Sequence, residues 1–136
     1  MRISAKAEYA CLAIITLAHR GIGDKPVRIR EIAETHGIPE TFLTQILLRL
    51  KGAGLVFSVR GSSGGYRLAR PPEQIMLGEV LKAMDGHAFT QRELQGPAAQ
   101  VLSEVWDQVW SSETEILGGT SIAQLAGKID PHDWVI

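Results

Sequence analysis

The side chains best suited to chemistry in this 136-residue chain are cations, hydroxyls and amides gathered between residues 41 and 70. Arg60 and Arg67 flank Gly61-Ser-Ser-Gly-Gly65 within the stretch Phe57-Ser-Val-Arg-Gly-Ser-Ser-Gly-Gly-Tyr-Arg-Leu-Ala-Arg70. A guanidinium makes charge-assisted hydrogen bonds to a phosphate or enters a narrow minor groove. Glycines let the backbone, together with hydroxyls such as Ser62 and Ser63, lie close to a sugar-phosphate chain. Upstream, Glu40, Thr41, Thr44, Gln45 and Arg49 share one side of a helical pattern. Gln suits the adenine edge and Arg the guanine edge in a major groove, so this face fits base reading as well as it fits plain solvation. The arginine-flanked glycines that follow tip the balance toward nucleic acid.

Other chemistries find less support. The glycines lack the Gly-x-x-x-x-Gly-Lys-Ser/Thr order of a nucleotide-binding loop, and the chain returns from them as a strand instead of opening a helix. No serine or cysteine nucleophile stands beside an obvious base, no paired-carboxylate signature occurs, and His19, His36, His87 and His132 are scattered. No catalytic residue and no metal site is therefore expected, and the chain reads as a non-enzyme. Cys11 is the only cysteine, which excludes an internal disulfide and a Cys-rich metal site within one chain. It shares an apolar stripe with Ala7, Ala10, Ile14, Leu17 and Ala18, where it reads as a small core hydrophobe.

Ser4 is placed to cap a first helix that runs to about Arg20 and closes at Gly21, with Gly23-Asp24-Lys25-Pro26 as an exposed loop. Arg28 to His36 forms a positioning helix with Ile29, Ile32 and Ala33 inward, ending at Gly37. Pro39 sits in the first turn of a second helix reaching Lys51, whose Leu43, Ile46, Leu47 and Leu50 face inward. Leu55 to Val59 and Tyr66 to Ala69 read as strands joined by the glycine linker, so a helix-turn-helix is followed by a hairpin wing. After Pro71-Pro72, Leu77, Val80, Leu81 and Met84 mark a short helix stopping at Asp85-Gly86, and residues 87 to 97 form a polar connector.

From about Ala98 to Leu117 a longer helix carries Val101, Leu102, Val105, Trp106, Val109, Trp110, Ile116 and Leu117. That apolar surface exceeds what one small domain covers, so pairing with a twin helix in a homodimer is expected. Gly118-Gly119 ends it, Ser121-Ile-Ala-Gln124 has capping-box spacing for a last helix through Ala126, and Pro131 to Ile136 is expected to be a loosely held tail. The fold class expected is mainly α with a small β-hairpin wing. Residues 1–86 make a winged helix-turn-helix DNA-binding domain, and residues 87–136 supply the connector, the dimerisation helix and the C-terminal tail.

A formal net charge of -1 conceals a segregation: residues 1–70 hold 11 Lys/Arg against 5 Asp/Glu, whereas residues 71–136 hold 3 against 10. The basic part suits a phosphate backbone, and the acidic part faces protein or solvent. The longest apolar run, Ala10 to Leu17, is broken by Thr16 and falls far short of the roughly 20 residues of a membrane span. Residues 1 to 20 carry no signal-peptide cleavage pattern, so a soluble cytoplasmic protein with no membrane partner is expected.

With these residues in place, the chain resembles the Rrf2 family of bacterial transcriptional regulators. The resemblance spans nearly the whole length. It rests on Met1-Arg-Ile-Ser-Ala-Lys-Ala-Glu-Tyr-Ala10, on Glu31-Ile-Ala-Glu34 with Ile38 and Phe42-Leu-Thr-Gln45, and above all on Gly54-Leu-Val-Phe-Ser-Val-Arg-Gly-Ser-Ser-Gly-Gly-Tyr-Arg-Leu-Ala-Arg-Pro71. Trp106 and Thr120-Ser-Ile-Ala-Gln-Leu125 match the family's dimer helix and closing helix. The resemblance implies a two-fold homodimer on an imperfect palindrome of double-stranded DNA. In it Thr41, Thr44 and Gln45 read bases, Arg60 enters the minor groove, and Ser4, Lys6 and Ser62 hold phosphates. Arg28, Arg49, Ser63 and Arg67 complete the expected DNA-binding set, and Leu102, Val105, Trp106, Val109, Trp110 and Ile116 the expected dimer interface.

Two departures from the family pattern matter. Thr44 stands where members with a cluster-dependent choice of DNA site carry an acidic residue, so operator preference does not transfer. Cluster-binding members carry three cysteines in the connector, whereas residues 87 to 105 here contain none, and thiolates are what hold such clusters. No iron-sulfur cofactor is expected, and the resemblance points to a branch controlled by a partner protein, a small-molecule effector or abundance alone. The expected function is a sequence-specific, homodimeric DNA-binding regulator, with repression the expected direction. A winged helix serving as a protein-protein interaction module is the alternative.

Overall fold

Ser4 opens the fold in the computed structural model, which describes residues 2–21, 25–85 and 95–130. Its Oγ accepts from the Ala7 amide at 3.1 Å and caps α1 (Ala5–Arg20). Gly23 and Asp24 of the expected loop, the stop at Gly86, His87 with most of the connector, and the tail from Pro131 lie outside the described residues, while Lys25 of that loop is exposed. Ala7, Ala10, Ile14 and Leu17 of α1 are buried along the stripe that their spacing predicts, and Cys11 and Ala18 pack partly buried beside them.

The helix-turn-helix consists of α2 (Ile29–His36) and α3 (Glu40–Gly52). Gly37 joins them with φ 65°, a left-handed conformation that glycine adopts without penalty, and its N–H closes on the Ala33 carbonyl. Ile38 is buried and anchors the turn. Pro39 serves as the N-cap of α3, one position before the helix, because its carbonyl accepts from Phe42 and Leu43 at 3.1 and 2.9 Å. Leu43, Ile46, Leu47 and Leu50 are buried, and Phe42 meets Tyr9 of α1 edge-to-face with centroids 5.8 Å apart.

A buried polar contact ties α1 to α2. Thr16 gives its hydroxyl proton to the Leu12 carbonyl at 2.7 Å, which leaves Nε2–H of His36 to donate to the Thr16 oxygen, also at 2.7 Å. Burial, then the charge of Arg20, holds the His36 pKa below its ordinary value. The unfolded chain therefore takes up a proton near pH 6.5 that the folded protein resists, and stability falls as pH drops from there toward the folded pKa. Urea unfolding between pH 5 and 8 is expected to show this loss below about pH 6.5. His36→Gln should flatten it, and parallel profiles for the two proteins would disprove the assignment.

The wing pairs β1 (Val56–Val59) with β2 (Gly65–Leu68) antiparallel, Val56 opposite Leu68 and Val59 opposite Gly65. The ladder stops one residue short of the expected strands at either outer end, although the Ala69 amide still reaches the Leu55 carbonyl at 2.9 Å. On its other edge β2 takes Val27, whose amide and carbonyl pair with Tyr66 at 2.9 and 2.8 Å. Gly65 is needed for this approach: a Cβ there would lie 2.4 Å from the Val27 carbonyl oxygen. Gly65→Ala should displace the wing from Val27 and lower unfolding stability by about 2 kcal/mol, readable in denaturant titrations.

A single-turn 3-10 segment, Pro72–Gln74, leads to α4 (Leu77–Asp85), where Val80, Leu81 and Met84 join the core. Helix α5 (Pro97–Gly119) is longer at both ends than its apolar pattern predicts, because Pro97 is tolerated in the first turn and the glycine pair stays helical. Its 23 residues include none that is buried, and Leu117 alone of its large apolar residues packs partly against the core. The chain then returns. Ile122 bonds to the Ile75 carbonyl at 2.8 Å and is fully buried at the start of α6 (Ile122–Gly127), which Ser121 and Gln124 cap reciprocally. Ile122 and Ala126 of α6 are buried, and the helix packs beside α1.

Candidate nucleic-acid interface

Burial of the four leucine and isoleucine side chains of α3 turns the opposite face outward. Thr41, Gln45 and Arg49 are exposed, while Thr44 is half-buried with its hydroxyl donating to the Glu40 carbonyl at 2.8 Å. Leu48, 55 % exposed, lies among them and was not among the sequence-derived candidates. Its offsets of four and seven from Thr44 and Thr41 were the available signal, and an apolar group there is suited to a thymine methyl.

The wing separates its cations by role. Arg60 is exposed at the entry to the tip, with Ser62 and Ser63 exposed beyond it. Arg67 is half-buried with its guanidinium 5.3 Å from the Phe57 ring centroid, a cation-π contact across the ladder. Arg70 is turned away to Glu79 and the Gln74 carbonyl, both at 2.6 Å, and its hydrogen bond lowers the Glu79 pKa. Lys51 donates to Ser58 at 3.1 Å, and Arg28 donates to the Ser62 carbonyl at the tip.

Where the wing meets the helix-turn-helix, a shallow cleft of about 490 Å³ is lined by Arg28, Arg30, Glu40, Ser58 and Ser62 together with Gly61, Gly64 and Gly65. The fold thus gathers Arg28 and Ser62, far apart in sequence, at the edge of the α3 face. Ser4 and Lys6 do not line this cleft. Lys6 is exposed in the first turn of α1, and Ser4, besides capping, donates to the Asp85 carboxylate at 2.9 Å. An anion approaching Ser4 meets that carboxylate.

Helix α5 presents two adjoining rows, Val101, Val105, Val109 and Leu102, Trp106, Trp110, all between 41 and 65 % exposed, with Ile116 further along. Between α5, α4 and the residues that precede α1 lies a groove of about 530 Å³, lined in part by Ile3, Met76, Leu81, Trp110 and Leu117. Among the described residues no helix is long and apolar enough to cross a membrane.

A helix-turn-helix with a polar outer face, joined to a hairpin that carries an exposed arginine, defines a winged-helix DNA-binding transcriptional regulator, a class that performs no catalysis. The chain belongs to the Rrf2 family, whose model, described as an iron-dependent transcriptional regulator, matches residues 3–128. A helix-turn-helix regulator of Mycobacterium tuberculosis strain H37Rv is 39% identical over 139 residues, 97% of this chain and 85% of that protein. The Bacillus subtilis regulator CymR is 33% identical over 132 residues, 96% of this chain and 93% of its own. The solved structure of CymR, the global cysteine regulator of B. subtilis, superposes with a TM-score of 0.86 at 32% identity, covering 96% of this chain and 99% of that one. That of T. potens IscR gives 0.79 at 31% identity over 100% and 93%.

The residues present do not fit a thiolate-held iron cluster. The whole chain has one cysteine, and among the described residues no group of three His, Cys, Asp or Glu side chains converges as a metal site. Cys11 itself is a poor ligand: burial, then the charges of Glu8 and Asp85, pushes its thiol up to about 11. Native protein at pH 7.5 should be alkylated by iodoacetamide on the order of 100-fold more slowly than the same protein in urea. Equal rates would show the thiol to be exposed and ordinary.

Proposed function

We propose that the protein acts as a homodimer on a palindromic operator and represses transcription by occupying it. The observation that carries the dimer is the α5 face: six large apolar side chains in two rows stay in water while the core closes without them. Such a stripe is self-complementary about a two-fold axis, as an isologous interface requires. In this reading residues 1–86 with α6 bind DNA and α5 pairs the chains, so the two α3 helices enter successive major grooves. Thr41, Thr44, Gln45 and Leu48 face base edges, Arg49 and Lys6 lie toward phosphates, and Arg60 reaches the adjoining minor groove with Ser62 and Ser63 on the backbone.

Repression follows from occupancy alone, since a bound dimer excludes other proteins from the duplex it covers. The protein works in the cytoplasm, where the chromosome lies, without an iron-sulfur cluster, and its control rests on a small-molecule effector, a partner protein or its own abundance. Sedimentation of metal-free protein with a cognate duplex tests this: two chains per duplex are expected, with affinity falling on added salt at a slope of about 0.9 per phosphate neutralised. One chain per duplex, or a salt-independent affinity, would overturn it.

A further inference from the structure

We infer that Arg28 is a positioning residue for the wing, acting on DNA through Arg60 instead of by its own contact with a phosphate. The inference rests on the DNA-binding reading of the wing and deepens it. Arg28 occupies the N-cap of α2, a position that normally holds Ser, Thr, Asp or Asn, and its side chain caps nothing there. Its backbone carbonyl still accepts from Glu31 and Ile32 at 3.0 and 3.3 Å, so α2 starts without help from the side chain. The guanidinium is sent to the Ser62 carbonyl, at the tip of the hairpin and 34 residues away in sequence.

A two-stranded hairpin is marginal by itself, and the tip-side half of this one is tied by two consecutive residues, Val27 and Arg28. Val27 pairs with Tyr66, one pair in from the tip end of the ladder, and Arg28 holds the tip itself, whose own turn is closed by the Gly64 amide on the Gly61 carbonyl at 3.0 Å. Arg60 lies between those points, next to Gly61. With the end of the ladder and the tip both tied to the start of α2, the direction in which Arg60 projects is set by the same element that positions α3. A wing left to swing would meet the minor groove only after paying its own ordering entropy.

The test is a double-mutant cycle of Arg28→Ala with Arg60→Ala, read by operator affinity, together with amide exchange at Gly64 in DNA-free protein. Arg30→Ala, which removes a cation from the same cleft, serves as the control for charge. Arg28→Ala is expected to weaken binding about tenfold in the parent but less than about twofold in the Arg60→Ala background, and to speed Gly64 exchange about fivefold or more. Arg30→Ala should add its loss in full and leave Gly64 unchanged. Additive losses for Arg28 and Arg60, with Gly64 exchange unaltered, would make Arg28 a direct phosphate contact and overturn the inference. Faster Gly64 exchange in a protein that binds no duplex at all would support the brace while overturning the DNA reading, so the two failures are separable.

Discussion

Trp106→Glu is expected to sediment as a single chain and to lose at least about 100-fold in operator affinity, the gain that joining two half-site readers supplies. Trp106 is 49 % exposed in the isolated chain and belongs to no part of the core, so the fold should survive the change. In a paired α5 the same side chain lies at the centre of the two rows, between Leu102 and Trp110, where aromatic residues anchor interfaces. A carboxylate there is brought against its two-fold copy with no cation designed to meet it, and burying it costs several times what the lost contact contributes. The midpoint of thermal unfolding at high dilution should differ little between parent and variant, which separates lost pairing from lost folding. If the variant sediments as a pair of chains with parental affinity, α5 is not the interface.

Arg60→Ala is expected to weaken binding by roughly 10- to 100-fold and, because a dimer carries two wings, to be felt at both ends of the operator. Arg60 is the exposed wing cation, whereas Arg67 stacks over Phe57 and Arg70 is held by Glu79. A guanidinium in a narrow minor groove reads groove width, so the variant should lose its preference among flanking A·T tracts as well as affinity. Gln45→Ala supplies the contrast: its salt dependence should stay parental, while discrimination at one base pair of each half-site falls by about 1–3 kcal/mol. Competition gel shifts with single-base operator variants distinguish the two patterns. Equal losses on every sequence for both variants would place Gln45 on the phosphate backbone.

Much of this was legible before any coordinates. The Ser4 cap, the Gly37 turn, the inward leucines of α3 and the Ser121 capping box are local features, settled by residues within a few positions of each other, and they stand where their spacing puts them. What escaped was long-range. Nothing in the run Pro26-Val-Arg28 announces that Val27 will add to β2 or that Arg28 will reach Ser62, because both partners lie more than thirty residues away. The three wing arginines look alike in sequence, and only the register of Phe57 with Arg67 and the nearness of α4 assign them different work. Leu48 was hidden by its type: a leucine on a helix is first read as core, and the closure of the core around its neighbours is what leaves it outside. Thr44, read as a base contact, already spends its proton on the Glu40 carbonyl and keeps only acceptor capacity for a base edge.

Selection of bound duplexes from a random pool by metal-free, purified protein bears most directly on the account. It predicts enrichment of an inverted repeat whose half-sites lie about one helical turn, roughly 10 base pairs, apart. A lone asymmetric site, or no enrichment from the pool, would contradict it.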